Sequence, residues 1–196
     1  MKKKIAWIVL IGILLTGCAR TETETGEMTV VNFKCGKADA SLVYTEDAVI
    51  LIDTGETDDA DDILEYLKDN SIASIDVLII THFDKDHVGG GAQIIAQIDI
   101  GQIYTSNYPK DSDEYNAFLQ SVRDTGVSCE VLREDISLSL GSMTVQIDAP
   151  QEEEYAENPS NNSSLITKIT FGDTVFLFMG DAQNERIDEY LNTGIS

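Results

Sequence analysis

The alternation of apolar and polar residues predicts short strands and amphipathic helices in the first half of the chain. Strands are predicted at residues 28–34, 40–45, 48–53 and 75–80. Apolar side chains on one face predict a helix from Asp58 or Asp59 to about Asn70. The run at 75–80 has the length and composition of a buried strand, so the residues after it begin at the end of a strand.

The second half of the chain continues the alternation and then becomes rich in strands. Helices are predicted over residues 91–98 and 114–124, the second one ended by Gly126. Strands are predicted at residues 102–105, 128–133, 137–140, 144–148, 165–171 and 174–179, with a last helix after Asp181. This order predicts an α/β or α+β domain with layered sheets.

The N-terminus has the pattern of an exported protein. Lys2, Lys3 and Lys4 precede an apolar stretch over residues 5–15, which is too short to span a bilayer of about 30 Å. We expect a signal peptide at residues 1–17. The segment Leu15-Thr16-Gly17-Cys18 resembles a bacterial lipobox, which implies lipidation of Cys18 and an extracytoplasmic protein anchored to the bacterial cell membrane. Residues 18–27 are predicted to form a flexible tether, and residues 28–196 one domain.

Charge and cysteine content narrow the possible partners. The formal net charge is -22, with 35 acidic and 13 basic residues. A broad nucleic-acid surface needs clustered Lys and Arg, so this composition disfavours one. Bound divalent ions can still draw an anionic group to an acidic site. Apart from Cys18, the cysteines are Cys35 and Cys129, which we expect to be two free, mostly buried thiols.

Residues 82–87, His-Phe-Asp-Lys-Asp-His, contain both histidines of the chain and two aspartates. This segment lies between an apolar strand and three glycines, where a turn lets a helix start. His82 and Asp84 are neighbours on an extended backbone, whereas Asp86 and His87 diverge enough to serve a second ion. The pattern therefore favours metal ligands over a solvated acidic loop.

The segment resembles the metal-binding signature of the metallo-β-lactamase superfamily, His-x-His-x-Asp-His, with Asp84 in place of the second histidine. With Val88-Gly89-Gly90 it is most similar to the hydrolase domain of ComEC-type competence proteins and their stand-alone relatives. The resemblance covers residues 28 to 191. Its further landmarks are Leu51-Ile52-Asp53-Thr54-Gly55, Asn161-Asn162-Ser163-Ser164-Leu165 and Phe178-Met179-Gly180-Asp181-Ala182.

The resemblance implies an αβ/βα sandwich with metal ions at one edge. It implies two divalent ions, zinc or manganese, with Asp181 as a bridging ligand and Asp86 and Asp181 as catalytic residues. The ligands implied are His82, Asp84, Asp86, His87 and Asp181. An Asp in place of a His makes the site richer in oxygen and shifts it towards manganese or magnesium. Family members have a further histidine beyond the Gly-Asp strand, so we expect the domain to lack its C-terminal part.

Other residues receive supporting roles from the same resemblance. Asp53 is expected to anchor the metal loop by accepting hydrogen bonds. Asn161, Asn162 and Ser164 are expected to bind substrate, with a plain turn as the alternative. The activity implied is hydrolysis by a metal-bridged hydroxide, on a phosphodiester in nucleic acid or in the cell envelope.

Two other interpretations remain open. Asp53-Thr54-Gly55 and Asp124-Thr125-Gly126 both resemble the active-site tripeptide of aspartic proteases, although the second follows a segment with helical periodicity. That interpretation leaves the histidine cluster unexplained. The other alternative is a lipid-anchored binding module or pseudoenzyme that has kept the fold.

Overall fold

The computed structural model describes residues 26–193. The expected signal peptide, the lipidation site Cys18 and nearly all of the expected tether lie outside the described residues. Within the described part, none of the helices combines the length and the apolar content that a membrane span requires.

The described residues form ten strands and six α-helices. The strands are β1 (Thr29–Asn32), β2 (Ser41–Tyr44), β3 (Val49–Ile52), β4 (Ser74–Ile80), β5 (Asp99–Thr105), β6 (Cys129–Val131), β7 (Ile136–Leu140), β8 (Met143–Asp148), β9 (Ile166–Phe171) and β10 (Thr174–Phe178). The helices are α1 (Ala60–Asp69), α2 (Lys85–Val88), α3 (Gly91–Gln97), α4 (Asp113–Thr125), α5 (Pro159–Asn162) and α6 (Asn184–Thr193), and a 3₁₀ turn (Thr57–Asp59) precedes α1.

The strands form two sheets. The six-stranded sheet has the order β1-β2-β3-β4-β5-β6, antiparallel from β1 to β3 and parallel from β3 to β6. The four-stranded sheet, in the order β10-β9-β8-β7, is antiparallel throughout. Because the carboxyl ends of parallel strands meet at one edge, the segments that follow β3, β4 and β5 are brought together.

Two apolar clusters hold these layers. Ile63 and Leu67 of α1 and Phe118 of α4 pack against one face of the six-stranded sheet. Val77 and Ile79 of β4 point to the other face, where they meet the four-stranded sheet. The result is a mixed α/β architecture in which a layer of helices packs on the six-stranded sheet, and the four-stranded sheet packs on its other face. This agrees with the predicted fold class.

Local sequence accounts for both ends of helix α4. The Ser112 hydroxyl accepts a hydrogen bond from the Tyr115 amide at 3.2 Å, which caps the start of α4. Gly126 ends α4 in the left-handed region at a φ of 72°.

Cys35 and Cys129 are free thiols, as expected, and both are half-buried. Burial raises the pKa of each to about 11.

Candidate metal centre

The histidine cluster lies at the edge of the six-stranded sheet where β3, β4 and β5 end. Asp53 directly follows β3, and residues 81–84 follow β4. Asp181 comes from the other sheet, three residues after the end of β10. Strand ends from both sheets therefore converge on one place.

Three side chains meet closely enough to hold a metal ion together. One potential ligand atom each from His82, His87 and Asp181 lies within 4.8 Å of the others. The His87 Nε2 atom is 3.5 Å from Asp181 Oδ1, and the centroids of the two imidazole rings are 4.1 Å apart. Two nitrogens and one carboxylate oxygen are a donor set that suits zinc and similar divalent ions.

The carboxylate of Asp53 orients His87. The Asp53 Oδ2 atom is 2.8 Å from His87 Nδ1. Asp53 itself has a φ of 56°, which is unusual for a residue other than glycine. Because a carboxylate only accepts, Nδ1–H of His87 donates to it, and the His87 Nε2 atom that faces Asp181 is left as the potential ligand.

The same carboxylate orients His82 through Thr81. The Thr81 hydroxyl donates to Asp53 Oδ2 at 2.7 Å, and the Thr81 amide donates to Oδ1 at 2.8 Å. Since the hydroxyl proton is committed to Asp53, the Thr81 oxygen accepts from His82 Nδ1–H at 3.2 Å. This arrangement leaves the lone pair of His82 on Nε2.

The His82 Nε2 atom is buried and has no hydrogen-bond partner among the described residues. A buried polar atom without a partner costs about 1–3 kcal/mol. A metal ion would satisfy this lone pair, with His87 and Asp181 completing the group of three donors. The residues present therefore fit a divalent metal.

The electrostatics of the cluster also favour a cation. Burial lowers the pKa of His82, and the nearby His87 lowers it further. Burial alone would lower the pKa of His87, but hydrogen bonds to Asp181 and Asp53 raise it to about 11. The hydrogen bond from His87 lowers the pKa of Asp181. Two carboxylates thus stabilise positive charge at the His87 ring.

The two aspartates of the predicted motif lie beside this group but do not belong to it. Asp84 Oδ2 is 3.9 Å from His82 Nε2, and Asp84 Oδ1 is 2.6 Å from Lys110 Nζ. Asp86 is half-buried in the first turn of α2. The ligand roles of Asp84 and Asp86 stay predictions.

Comparison with known proteins identifies the family. Residues 34–194 match the sequence profile of the metallo-β-lactamase superfamily. The chain belongs to this superfamily. Over 130 residues it is also 24% identical to ComE operon protein 3 of Bacillus subtilis (strain 168), a match that covers 66% of this chain and 16% of that protein. The predicted family is therefore confirmed.

Solved metallo-β-lactamase structures have the same fold. YhfI from Bacillus subtilis aligns with a TM-score of 0.53 at 17% identity, covering 78% of this chain and 62% of its own. A Cronobacter sakazakii metallo-β-lactamase variant aligns with a TM-score of 0.54 at 18% identity, covering 76% and 59%. The chain thus spans less than two thirds of the length of these relatives, and identities this low show the fold alone.

Membership of the metallo-β-lactamase superfamily supports a metal-dependent hydrolase in general, and its fold implies divalent metal binding, usually zinc. Here the structure shows a partial site of three residues.

The aspartic-protease interpretation is wrong, because Asp124 and Thr125 form the end of helix α4 and Gly126 ends that helix. The chain has no second strand-borne Asp-Thr-Gly to pair with Asp53.

The residues predicted to bind substrate have different environments. Asn161 is half-buried, and its Nδ2 atom lies 3.4 Å from Asp181 Oδ2. Asn162 is 1% exposed, its amide group donating to the Glu157 carbonyl and accepting from the Gln183 amide. Ser164 is fully buried against His82. Of the three, Asn161 lines the cavity of about 470 Å³ beside Asp84.

The sequence analysis missed four residues that contact or support the candidate metal centre. They are Thr81, Lys110, Ser160 and Arg186. Thr81 could have been found as the polar residue that ends an apolar strand before the first histidine. Lys110 lies in a loop, and Ser160 and Arg186 lie in helices α5 and α6; no periodicity or motif marks them as parts of the site.

Arg186 in α6 is fully buried and links this helix to the end of β8 and to the segment before β9. Its guanidinium donates to the Ser164 carbonyl at 2.9 Å and to the Asp148 carboxylate at 2.5 Å. It also donates to the Glu189 carboxylate at 2.8 Å. The helix that follows Asp181 is thereby fixed to the segment that contacts His82.

Proposed function

We propose that this chain is a metal-dependent hydrolase that cleaves phosphodiesters. The observation that carries the proposal is the buried, unpartnered Nε2 of His82 beside His87 Nε2 and the Asp181 carboxylate. These three residues would hold one divalent ion. Asp84 and Asp86 would supply further oxygen ligands, which makes room for a second ion.

Bound divalent ions lower the pKa of a coordinated water, polarise the substrate oxygen and stabilise the attacking and leaving oxygens. The protein's own contribution is to fix the ligands. Asp53 keeps the Nδ1 proton on both imidazoles, directly for His87 and through Thr81 for His82, so that Nε2 is the atom of each ring that a metal ion would bind. Burial of both rings keeps water away from these hydrogen bonds.

The cavity beside Asp84 supports an anionic, oxygen-rich substrate. Its volume is about 470 Å³, and although Asp84 and Asp111 also line it, it contains a cationic side chain, Lys110, beside the hydrogen-bond donors Tyr108 and Asn161. A larger cavity of about 680 Å³ lies against α6, but Glu152, Glu154, Glu185 and Glu189 line it and would repel a phosphodiester. The proposed substrate is a phosphodiester in nucleic acid or in the cell envelope.

Hydrolysis of bis-nitrophenyl phosphate tests this function. The full chain loaded with Mn²⁺ or Zn²⁺ should cleave it, and Asp181→Asn should lower the rate by more than about 100-fold, because it removes a metal-binding oxygen. Asp99→Asn is the matched control, since Asp99 is exposed at the start of β5, at the opposite edge of the sheet. Parallel assays on DNA and on a phosphocholine ester separate the two substrate sources.

A metal-loaded chain that cleaves none of these substrates would contradict the enzyme assignment. Metal binding without cleavage would instead favour the binding module. Both results presuppose a metal measurement on the same sample, so elemental analysis accompanies each assay.

We also propose that the protein is lipidated at Cys18 and anchored outside the cytoplasmic membrane. The support is the basic start, the short apolar stretch and the lipobox-like Leu15-Thr16-Gly17-Cys18. Cys18→Ser should release the protein or block its processing, measured by membrane fractionation and mass. A variant with unchanged mass and membrane attachment would disprove the assignment.

A further inference from the structure

In the metallo-β-lactamase signature that residues 82–87 resemble, the position of Asp84 holds a second histidine. Imidazole is a neutral ligand, whereas a carboxylate carries a full negative charge. An exchange of His for Asp therefore changes the charge of a metal site by one unit, unless a neighbouring group compensates.

The two oxygens of the Asp84 carboxylate have different environments. Oδ1 lies 2.6 Å from Lys110 Nζ and also accepts a hydrogen bond from the Ser160 hydroxyl. Oδ2 faces His82 Nε2 at 3.9 Å. The carboxylate therefore forms an ion pair with Lys110 through one oxygen, while its other oxygen faces the candidate metal site.

These contacts come from far along the chain. Lys110 follows β5, and Ser160 is in α5, 76 residues after Asp84. Lys110 is the one cationic side chain among the described residues that line the adjacent cavity. Its side chain is 33% exposed, so its charge acts on the carboxylate with only partial screening by water.

We propose that Lys110 and Ser160 are positioning residues that leave Asp84 a single coordinating oxygen, Oδ2, and that Lys110 cancels its charge, so that the pair replaces the neutral histidine of the family signature. This inference rests on the proposed metal site. It assigns Lys110 a function in metal affinity that is separate from any contact with substrate.

The proposal predicts an unusual direction for the loss of Lys110. A fixed positive charge beside the site opposes cation binding, so Lys110→Met should bind Mn²⁺ more tightly, by on the order of tenfold. Lys110→Arg keeps the charge and should stay within about twofold of wild type. Competition with a fluorescent chelator measures these affinities without any assay of activity.

Lys85→Met is the matched control for net charge. Lys85 is adjacent to Asp84 in sequence but is 65% exposed and lies 3.5 Å from Glu56. Exposed pairs contribute little, so this variant should change Mn²⁺ affinity by less than about twofold. Equal tightening by Lys85→Met and Lys110→Met would reduce the effect to overall charge and overturn the proposal.

A double mutant tests whether the charges of Asp84 and Lys110 are matched. Asp84→His leaves the Lys110 charge uncompensated and should weaken Mn²⁺ binding by on the order of tenfold. Adding Lys110→Met should restore binding to within about threefold of wild type, which a purely structural lysine would not do. A double mutant no better than Asp84→His would overturn the proposal.

The wild-type measurement separates this inference from the proposed function. A wild-type chain that binds neither Mn²⁺ nor Zn²⁺ would overturn the metal site itself. A wild type that binds metal, with Lys110→Met of equal or lower affinity, would overturn only the assignment of Lys110.

Discussion

His82 and His87 come from one six-residue segment, whereas Asp181 follows the last strand of the other sheet. The helix after Asp181 is held in place by contacts with distant parts of the chain. The first region, which we call the histidine half, consists of Asp53, Thr81, His82 and His87. Hydrogen bonds of 2.7–3.2 Å link these residues. The second region, the loop half, consists of residues 158–165, Asp181 and Arg186.

The two halves differ in what holds them. In the histidine half, each buried ring is fixed by a neighbour at the end of a parallel strand. In the loop half, a buried arginine joins α6 to the segment before β9. One half is therefore specified by adjacent strand ends. The other is held by contacts from distant parts of the chain, among them the buried ion pair of Arg186 with Asp148, whose loss should loosen this half.

Arg186→Met should have the largest effect on stability. It removes the cationic partner of a carboxylate that is 1% exposed, together with a donor to the Ser164 carbonyl. Breaking a buried pair in this way costs about 3–5 kcal/mol. Urea unfolding would measure the loss.

Arg123→Met is the control for Arg186→Met. Arg123 also lies on a helix but is exposed and contacts Gln120. Its replacement should cost less than about 0.5 kcal/mol. Similar losses for the two variants would contradict the idea that one buried arginine holds the loop half.

The sequence predicted most of the fold because periodic patterns are local. Every predicted strand and longer helix is present, with ends shifted by a few residues. Helices α2 and α5 were missed, since four residues form barely one turn and show no periodicity. Both short helices are parts of the site.

The site was less predictable because its second half depends on long-range contacts. The motif at residues 82–87 and the Gly-Asp segment pointed to His82, His87 and Asp181. Nothing local marks Lys110 or Arg186, whose partners lie 26 and 38 positions away. Such residues become visible only when the fold is known.

Asp53→Asn should disrupt the histidine half and weaken its metal binding. An amide nitrogen in place of Oδ2 donates, so His87 Nδ1 must accept and the proton moves to Nε2. Through Thr81, the same reversal places a proton on Nε2 of His82. Mn²⁺ affinity should fall by about 10–100-fold, measured by chelator competition.

Asp76→Asn provides the comparison for Asp53→Asn. Asp76 lies on β4 and accepts a hydrogen bond from the Val49 amide at 2.8 Å, away from the histidines. Its replacement should leave metal affinity within about twofold of wild type. If Asp53→Asn also stayed within twofold, the tautomer argument would be refuted.

Gly180→Ala tests the contact between the two halves, and its effect relative to a matched glycine variant should be the smallest. Gly180 has a φ of 52°, and a methyl group there would lie 2.7 Å from Thr81 Oγ1 and 3.1 Å from Ser164 Oγ, one atom in each half. Gly126→Ala is the matched variant, with a φ of 72° and open space around the added carbon. Both variants should lose about 1–2 kcal/mol of unfolding free energy from backbone strain, and Gly180→Ala should lose about 1 kcal/mol more from crowding.

The two variants should also differ in metal binding. Because the added methyl displaces the Thr81 hydroxyl that orients His82, only Gly180→Ala should weaken Mn²⁺ binding. Equal unfolding free energies and unchanged affinities for the two variants would mean that the halves do not meet at this glycine.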